Sequence, residues 1–287
     1  MKCEKMFLKP VGVEEDLREI DVLFSGDLVK YIQGVFAKLK SNFYDNPDQV
    51  VNIVLGGDKG GKSMKFHFEI CHPDTSVTDV HIFCMFEGAD NPDNMYKALG
   101  LFNTAFREMS DPNFRLGGHK VAFFLGGDFK YLDGILGTQG SSAKLPCAKC
   151  KVELEHLQGH GGLPHGPKHE KYPLRTLEEM EGHYNANLCE TRGGKKGYLD
   201  LSSTGKHHES IRGRNLMKFI PLENVVPPVL HITLGIVLRL FNKLLSQCRI
   251  LDGSPILTTL RANGRKSLVI WNKDKTPLGK WVGHTLT

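Results

Sequence analysis

The chain has 287 residues, 40% of them hydrophobic and 24% charged, with a formal net charge of +5. That length and balance suit one large or two modest cores, and the mild positive charge permits nucleic-acid binding without requiring it. No stretch reaches the roughly 18 uncharged apolar residues of a membrane span, and the opening MKCEKMFLKPVGVEEDL lacks the apolar core of a signal peptide.

The seven cysteines are an odd number and come without a secretory signal. They point to an intracellular protein, nuclear or cytoplasmic, whose thiols are free or metal-bound rather than paired as disulfides.

In chain order, residues 1–49 read as a helical lead-in. Leu28, Ile32, Val35, Phe36 and Leu39 recur at helical spacing, and Ser25 or Asp27 stands where a cap belongs. After the polar turn YDNPDQ, the run VNIVL reads as a short buried strand.

The next eight residues, Gly56 to Ser63, spell GGDKGGKS and fit the phosphate-loop pattern G-x-x-x-x-G-K-[ST]. A phosphate loop enters a helix directly after its Lys-Ser, because the helix N-terminal amides help to hold the phosphates. Here Phe66, Phe68 and Ile70 alternate with Lys65, His67 and Glu69, the period of a half-buried strand. The pattern therefore predicts a hairpin bent at GGDKGGKS. A nucleotide-hydrolysing loop, with Lys62 and Ser63 on phosphate and magnesium, is the alternative.

A third strand is expected over 77–86 and a helix over 90–109, lined by Met95, Leu99, Phe102, Phe106 and Met109. A continuous apolar strand follows at 120–125, then a short helix at 129–136. Residues 50–136 thus read as an α/β core in the order β-β-β-α-β, the opening topology of a ribonuclease-H-like mixed sheet. Residues 137–225, rich in Gly and His, read as an inserted region. An apolar helix is expected over 226–249 and an irregular tail over 250–287.

Two strands end alike, IVLGGD at Asp58 and FFLGGD at Asp128. Paired carboxylates at neighbouring strand ends are hard oxygen donors suited to Mg²⁺ or Mn²⁺, and two such ions serve phosphodiester chemistry. The bland alternative is a pair of turn aspartates. Lys59, Lys62, Lys65 and Lys130 lie near the two acids in sequence and are candidates for phosphate contact. Cys147-Ala-Lys-Cys150 is half of a zinc site. The remaining ligands would come from among Cys189, His156, His160, His165, His169, His183, His207 and His208. His231 opens the apolar helix.

The order of these features resembles the catalytic core of DDE transposases, nearest to Transib elements and the related V(D)J recombination-activating recombinase. FFLGGDFKYL before a C-x-x-C, and ENVVPPVLHITLGIVLRLF at 223–241, carry the likeness, which spans about 50–245. The resemblance implies that Asp58 and Asp128 are metal-binding carboxylates, that Cys147 and Cys150 ligate zinc, and that His231 lies near the active site. It also implies DNA as partner, a homodimer, and phosphodiester cleavage with strand transfer. The family uses a third acid, a Glu on a downstream helix. No Glu follows Glu223 here, and Asp252 and Asp274 are the acids beyond it. The expectation is therefore a transposon-derived core, a fragment or domesticated remnant, with catalysis dependent on an acid from elsewhere. A non-catalytic, zinc-dependent nucleic-acid-binding module is the remaining alternative.

Overall fold

A computed structural model describes residues 1–11, 17–39, 45–46, 48–71, 79–158, 172–192, 208–252, 269–271 and 277–280. The chain divides into two compact units, Met1–Pro228 and Val229–Thr287.

The first unit is an α/β structure built on a seven-stranded mixed sheet. Its strands are β1 (Lys2–Leu8), β2 (Arg18–Phe24), β3 (Val51–Gly60), β4 (Ser63–Ile70), β5 (His81–Glu87), β6 (Arg115–Leu116) and β7 (His119–Gly127), in the spatial order β1-β2-β5-β4-β3-β7-β6. The lead-in is therefore more than helical. Two strands, the edge strand β1 and its neighbour β2, precede helix α1 (Leu28–Phe36), which Asp27 caps by accepting from the Lys30 amide.

The hairpin at GGDKGGKS is present. β3 and β4 pair antiparallel from Ile53–Ile70 to Gly60–Ser63. Gly61 has φ +63, at the first of two turn positions, where a type II′ hairpin places glycine. Because Ser63–Ile70 is a strand, the helix that a phosphate loop needs is missing after Lys62.

β5 continues the meander antiparallel to β4. The chain then crosses over through α2 (Pro92–Gly100) and α3 (Asn103–Met109) and returns as β7, parallel to β3 from Val51–Val121 to Gly57–Gly127. The single helix expected over 90–109 is thus two, broken at Leu101-Phe102. Asn91 caps the first and Pro92 opens it. On the far side of β7, Val225 makes a parallel bridge to Leu125, and the Val226 amide donates to the Leu125 carbonyl at 2.7 Å.

Alternation divides the sheet faces. On β4, Met64, Phe66, Phe68 and Ile70 are buried, whereas Lys65, His67 and Glu69 are half-buried. The buried side joins Ile53, Leu55, Phe83 and Leu125 to Met95, Leu99 and Phe102, and to Leu132 and Ile135 of α4 (Phe129–Leu136), in one core. The opposite side exposes Phe7, Leu23 and Ile82.

The inserted region holds more structure than its composition announced. Helix α5 spans Leu154–Gln158 and α6 spans Leu177–Arg192. Met180, Tyr184 and Leu188 of α6 are buried in the same core.

In the second unit, α7 (Val229–Asp252) covers the expected apolar helix. The tail contains a two-stranded hairpin, β8 (Val269–Trp271) with β9 (Pro277–Lys280). Among the described residues, no helix is long and apolar enough to cross a membrane.

Candidate metal and nucleic-acid site

The central parallel pair sets the site. β3 and β7 run side by side and their last paired residues are Gly57 and Gly127. Asp58 and Asp128 each follow one of these glycines: Asp128 leaves β7 to cap α4, whereas Asp58 stays in β3, paired with Lys65, two residues before that strand ends at Gly60. Both acids thus stand at one end of adjacent strands, whose spacing in any sheet is about 4.8 Å.

The glycines have a steric purpose. A Cβ at Gly57 would stand 2.2 Å from the Tyr131 ring, and one at Gly127 would stand 2.3 Å from it. The buried Tyr131 ring lies across both strand ends and brings α4 down onto them.

The two acids differ in their surroundings. Asp58 is exposed, and among the described residues no side chain pairs with it. Lys65 faces it across the β3–β4 ladder. Both side chains lean over Gly60, where a Cβ would lie 3.4 Å from Lys65 Nζ and 4.0 Å from Asp58 Oδ2. Asp128 is half-buried and caps α4, its Oδ1 accepting from the Tyr131 amide at 2.7 Å. One of its oxygens is thus committed to the fold.

The lysines separate into two groups. Lys59 and Lys130 both reach Asp90, at 3.1 and 2.7 Å. Burial raises the Asp90 pKa, but the hydrogen bonds from Lys130 and Lys59 outweigh it and hold the carboxyl below its ordinary value. Those two ammonium groups stitch β3 and α4 to the start of α2. Lys62, in the turn, and Lys65 have no carboxylate partner among the described residues and stay available to an anion.

Sequence reasoning passed over two acids here. Asp90 stands at the start of the helix expected over 90–109, and the lysines it meets across the fold give no local signal. Asp133, on α4, accepts from Thr138 Oγ1 at 2.6 Å. Burial pushes its pKa up, against the hydrogen bond from Thr138 and the charge of Arg212; Asp128 adds to the rise. Asp133 therefore serves the fold rather than an open site.

The Cys147–Cys150 loop holds its own sulfur contact. The Lys149 amide donates to Cys147 Sγ at 3.4 Å. Burial raises the Cys150 pKa, opposed by the Val152 amide and reinforced by the neighbouring Cys147. The loop is clamped by segment 173–175. Cys150 bridges to Leu174, and buried Arg175 donates to the carbonyls of Cys147 and Leu145 at 3.0 and 3.2 Å.

Among the described residues no third ligand joins the cysteines. Of the candidates, His156 lies beside Tyr172, the two rings tilted and their centroids 5.6 Å apart, and His208 is buried. His160, His165, His169 and His207 lie outside the described residues, as do the side chains of Cys189 and His231.

The described residues do hold one cluster of metal-ligating type: Glu179, His183 and Glu209, with ligand atoms within 4.8 Å of one another. A cation already occupies it. The Lys151 ammonium hydrogen-bonds Glu179 and lies 3.1 Å from Glu209, while His183 Nε2 is 3.3 Å from Glu209. This network ties α6 to the Cys loop.

Compared with family models, with curated proteins and with solved structures, the chain finds no significant match.

Proposed function

We propose that this chain carries a transposon-derived, ribonuclease-H-like core that binds Mg²⁺ or Mn²⁺ through Asp58 and Asp128 and engages DNA. The observation that carries the reading is the position of both acids at one end of the adjacent parallel strands β3 and β7, each one residue beyond the last Gly57–Gly127 pair.

Two further features support it. The order β5-β4-β3-β7, antiparallel, antiparallel, then parallel, followed by the parallel contact of Val225 with Leu125, is the connectivity expected of that fold. The available lysines, Lys62 and Lys65, stand at the same sheet end as Asp58.

A pair of divalent ions would supply an activated water or hydroxyl and stabilise the leaving oxygen of a phosphodiester. Asp58 and Asp128 would hold such ions. Asp128 gives one oxygen to the α4 amide and keeps the other for metal. Lys62 and Lys65 would hold the backbone phosphates. Cleavage and strand transfer require a third acid beyond these two, so binding is the activity assigned to the chain itself.

The C-x-x-C loop supports a structural Zn²⁺ within the same reading. It would equally serve a zinc-dependent nucleic-acid-binding module in which the aspartates are inert. A nuclear setting and a homodimer accompany the transposase reading.

The test is DNA binding by fluorescence anisotropy without added metal, with Mg²⁺ and with EDTA, for the wild type and Asp58→Asn. The reading expects tighter binding with Mg²⁺, and loss of that gain in the variant. Binding that added Mg²⁺ does not change, that the variant leaves intact and that EDTA abolishes would transfer the case to the zinc-dependent module.

A further inference from the structure

Away from the strand ends, α2, α3 and the segment 214–219 enclose an open cavity of about 460 Å³. That volume lies in the range of small-ligand sites. Its floor is apolar, formed by Leu99, Phe106 and Phe219, with the two phenyl centroids 5.4 Å apart.

Its rim is cationic, formed by Arg107, Arg214 and Lys218. Among the described residues a single carboxylate, Glu181, answers two of these cations, at 2.8 Å from Lys218 and 3.5 Å from Arg214. Arg107 is exposed and pairs with no carboxylate among the described residues. Three cations against one carboxylate leave an excess of positive charge beside an aromatic floor.

The two halves of that lining call for one ligand. An inorganic anion would leave the phenyl floor unused, and an apolar molecule would leave the cations unanswered. A phosphate joined to a flat ring satisfies both. The guanidinium fork of Arg107 matches phosphate oxygens, and a base lies naturally on aromatic side chains.

We propose that this cavity binds a nucleotide, with its phosphate at Arg107 and Lys218 and its base over Phe106 and Phe219. A free mononucleotide and the terminal nucleotide of a strand share this chemistry. The proposal does not depend on metal binding at Asp58 and Asp128, because the two sites have no residue in common.

The test titrates the whole chain with thymidine monophosphate, thymidine, phenyl phosphate and a 5′-phosphorylated oligothymidylate, reading amide shifts around the cavity. Arg107→Glu and Lys218→Glu probe the rim, and Asp58→Asn is the independent control. The proposal expects thymidine monophosphate to bind at least about tenfold tighter than thymidine, and each rim variant to lose about tenfold. Asp58→Asn should bind normally.

Binding of the mononucleotide identifies a free ligand. Binding of the oligonucleotide alone, lost in Arg107→Glu and kept in Asp58→Asn, identifies a strand terminus. The proposal is overturned if neither binds, if phenyl phosphate matches thymidine monophosphate, or if both rim variants bind as the wild type does.

Discussion

Asp58 and Asp128 end the same motif, yet their carboxylates have different duties, and substitution separates them. Asp58 is exposed and caps nothing. Asp58→Asn should leave stability within about 0.5 kcal/mol of the wild type in denaturant titration, while removing metal affinity. Asp128 caps α4 through Oδ1. Asp128→Asn retains that acceptor and should lose metal alone. Asp128→Ala should lose metal and also about 1 kcal/mol of stability.

Asp90 makes a separate, pH-dependent prediction. Its pKa is held below the ordinary 3.8 by Lys130 and Lys59 despite burial. A depressed carboxylate contributes stability that is present above its unfolded pKa and is lost as pH falls through the folded one. Asp90→Asn should therefore be less stable than the wild type at neutral pH. The gap should close as pH drops below 3.8. A gap that stays constant down to the acid transition would show that Asp90 stays uncoupled from Lys59 and Lys130.

At the scale of elements, the strand ends and α4 are locked together by the absence of side chains. Tyr131 lies over Gly57 and Gly127, and a Cβ at Gly57 would approach its ring to 2.2 Å. Because that ring is only 3% exposed, it has little room to swing aside. Gly57→Ala should cost about 1–3 kcal/mol by the usual penalty for overpacking. It should weaken metal binding as well, since it pushes α4 and its cap Asp128 away from β3. The measurement is thermal unfolding alongside metal titration.

Helix α6 has its own lock. Thr176 Oγ1 accepts from the Glu179 amide at 3.1 Å, and Glu179 also binds Lys151. Thr176→Ala should cost about 1 kcal/mol.

For the whole molecule, what could be read in the sequence followed from periodicity. Alternation in MKFHFEI separated the hairpin from a phosphate loop, and the helices expected over 129–136 and 226–249 are present as α4 and α7. The missed elements lacked that signal. β1, at the sheet edge, and β2 beside it are mostly exposed, so the apolar residues of KCEKMFL and REIDVLF shrink to the short runs MFL and VLF. In α6, Met180, Tyr184 and Leu188 mark a buried stripe, but polar neighbours dilute it. The sign available was Thr176-Leu-Glu-Glu179, a capping box opening the helix.

The acids were legible because each follows an apolar run and two glycines. Their lysine partners were less so, because Asp90 reaches Lys59 and Lys130 only through the tertiary fold.

The most direct test of the metal-binding claim is paramagnetic broadening of backbone amides by Mn²⁺ at substoichiometric concentration. The account predicts broadening centred on residues 57–60 and 127–129, abolished in Asp58→Asn. Broadening centred instead on Glu179, His183 and Glu209, or none at the β3 and β7 ends, would contradict it.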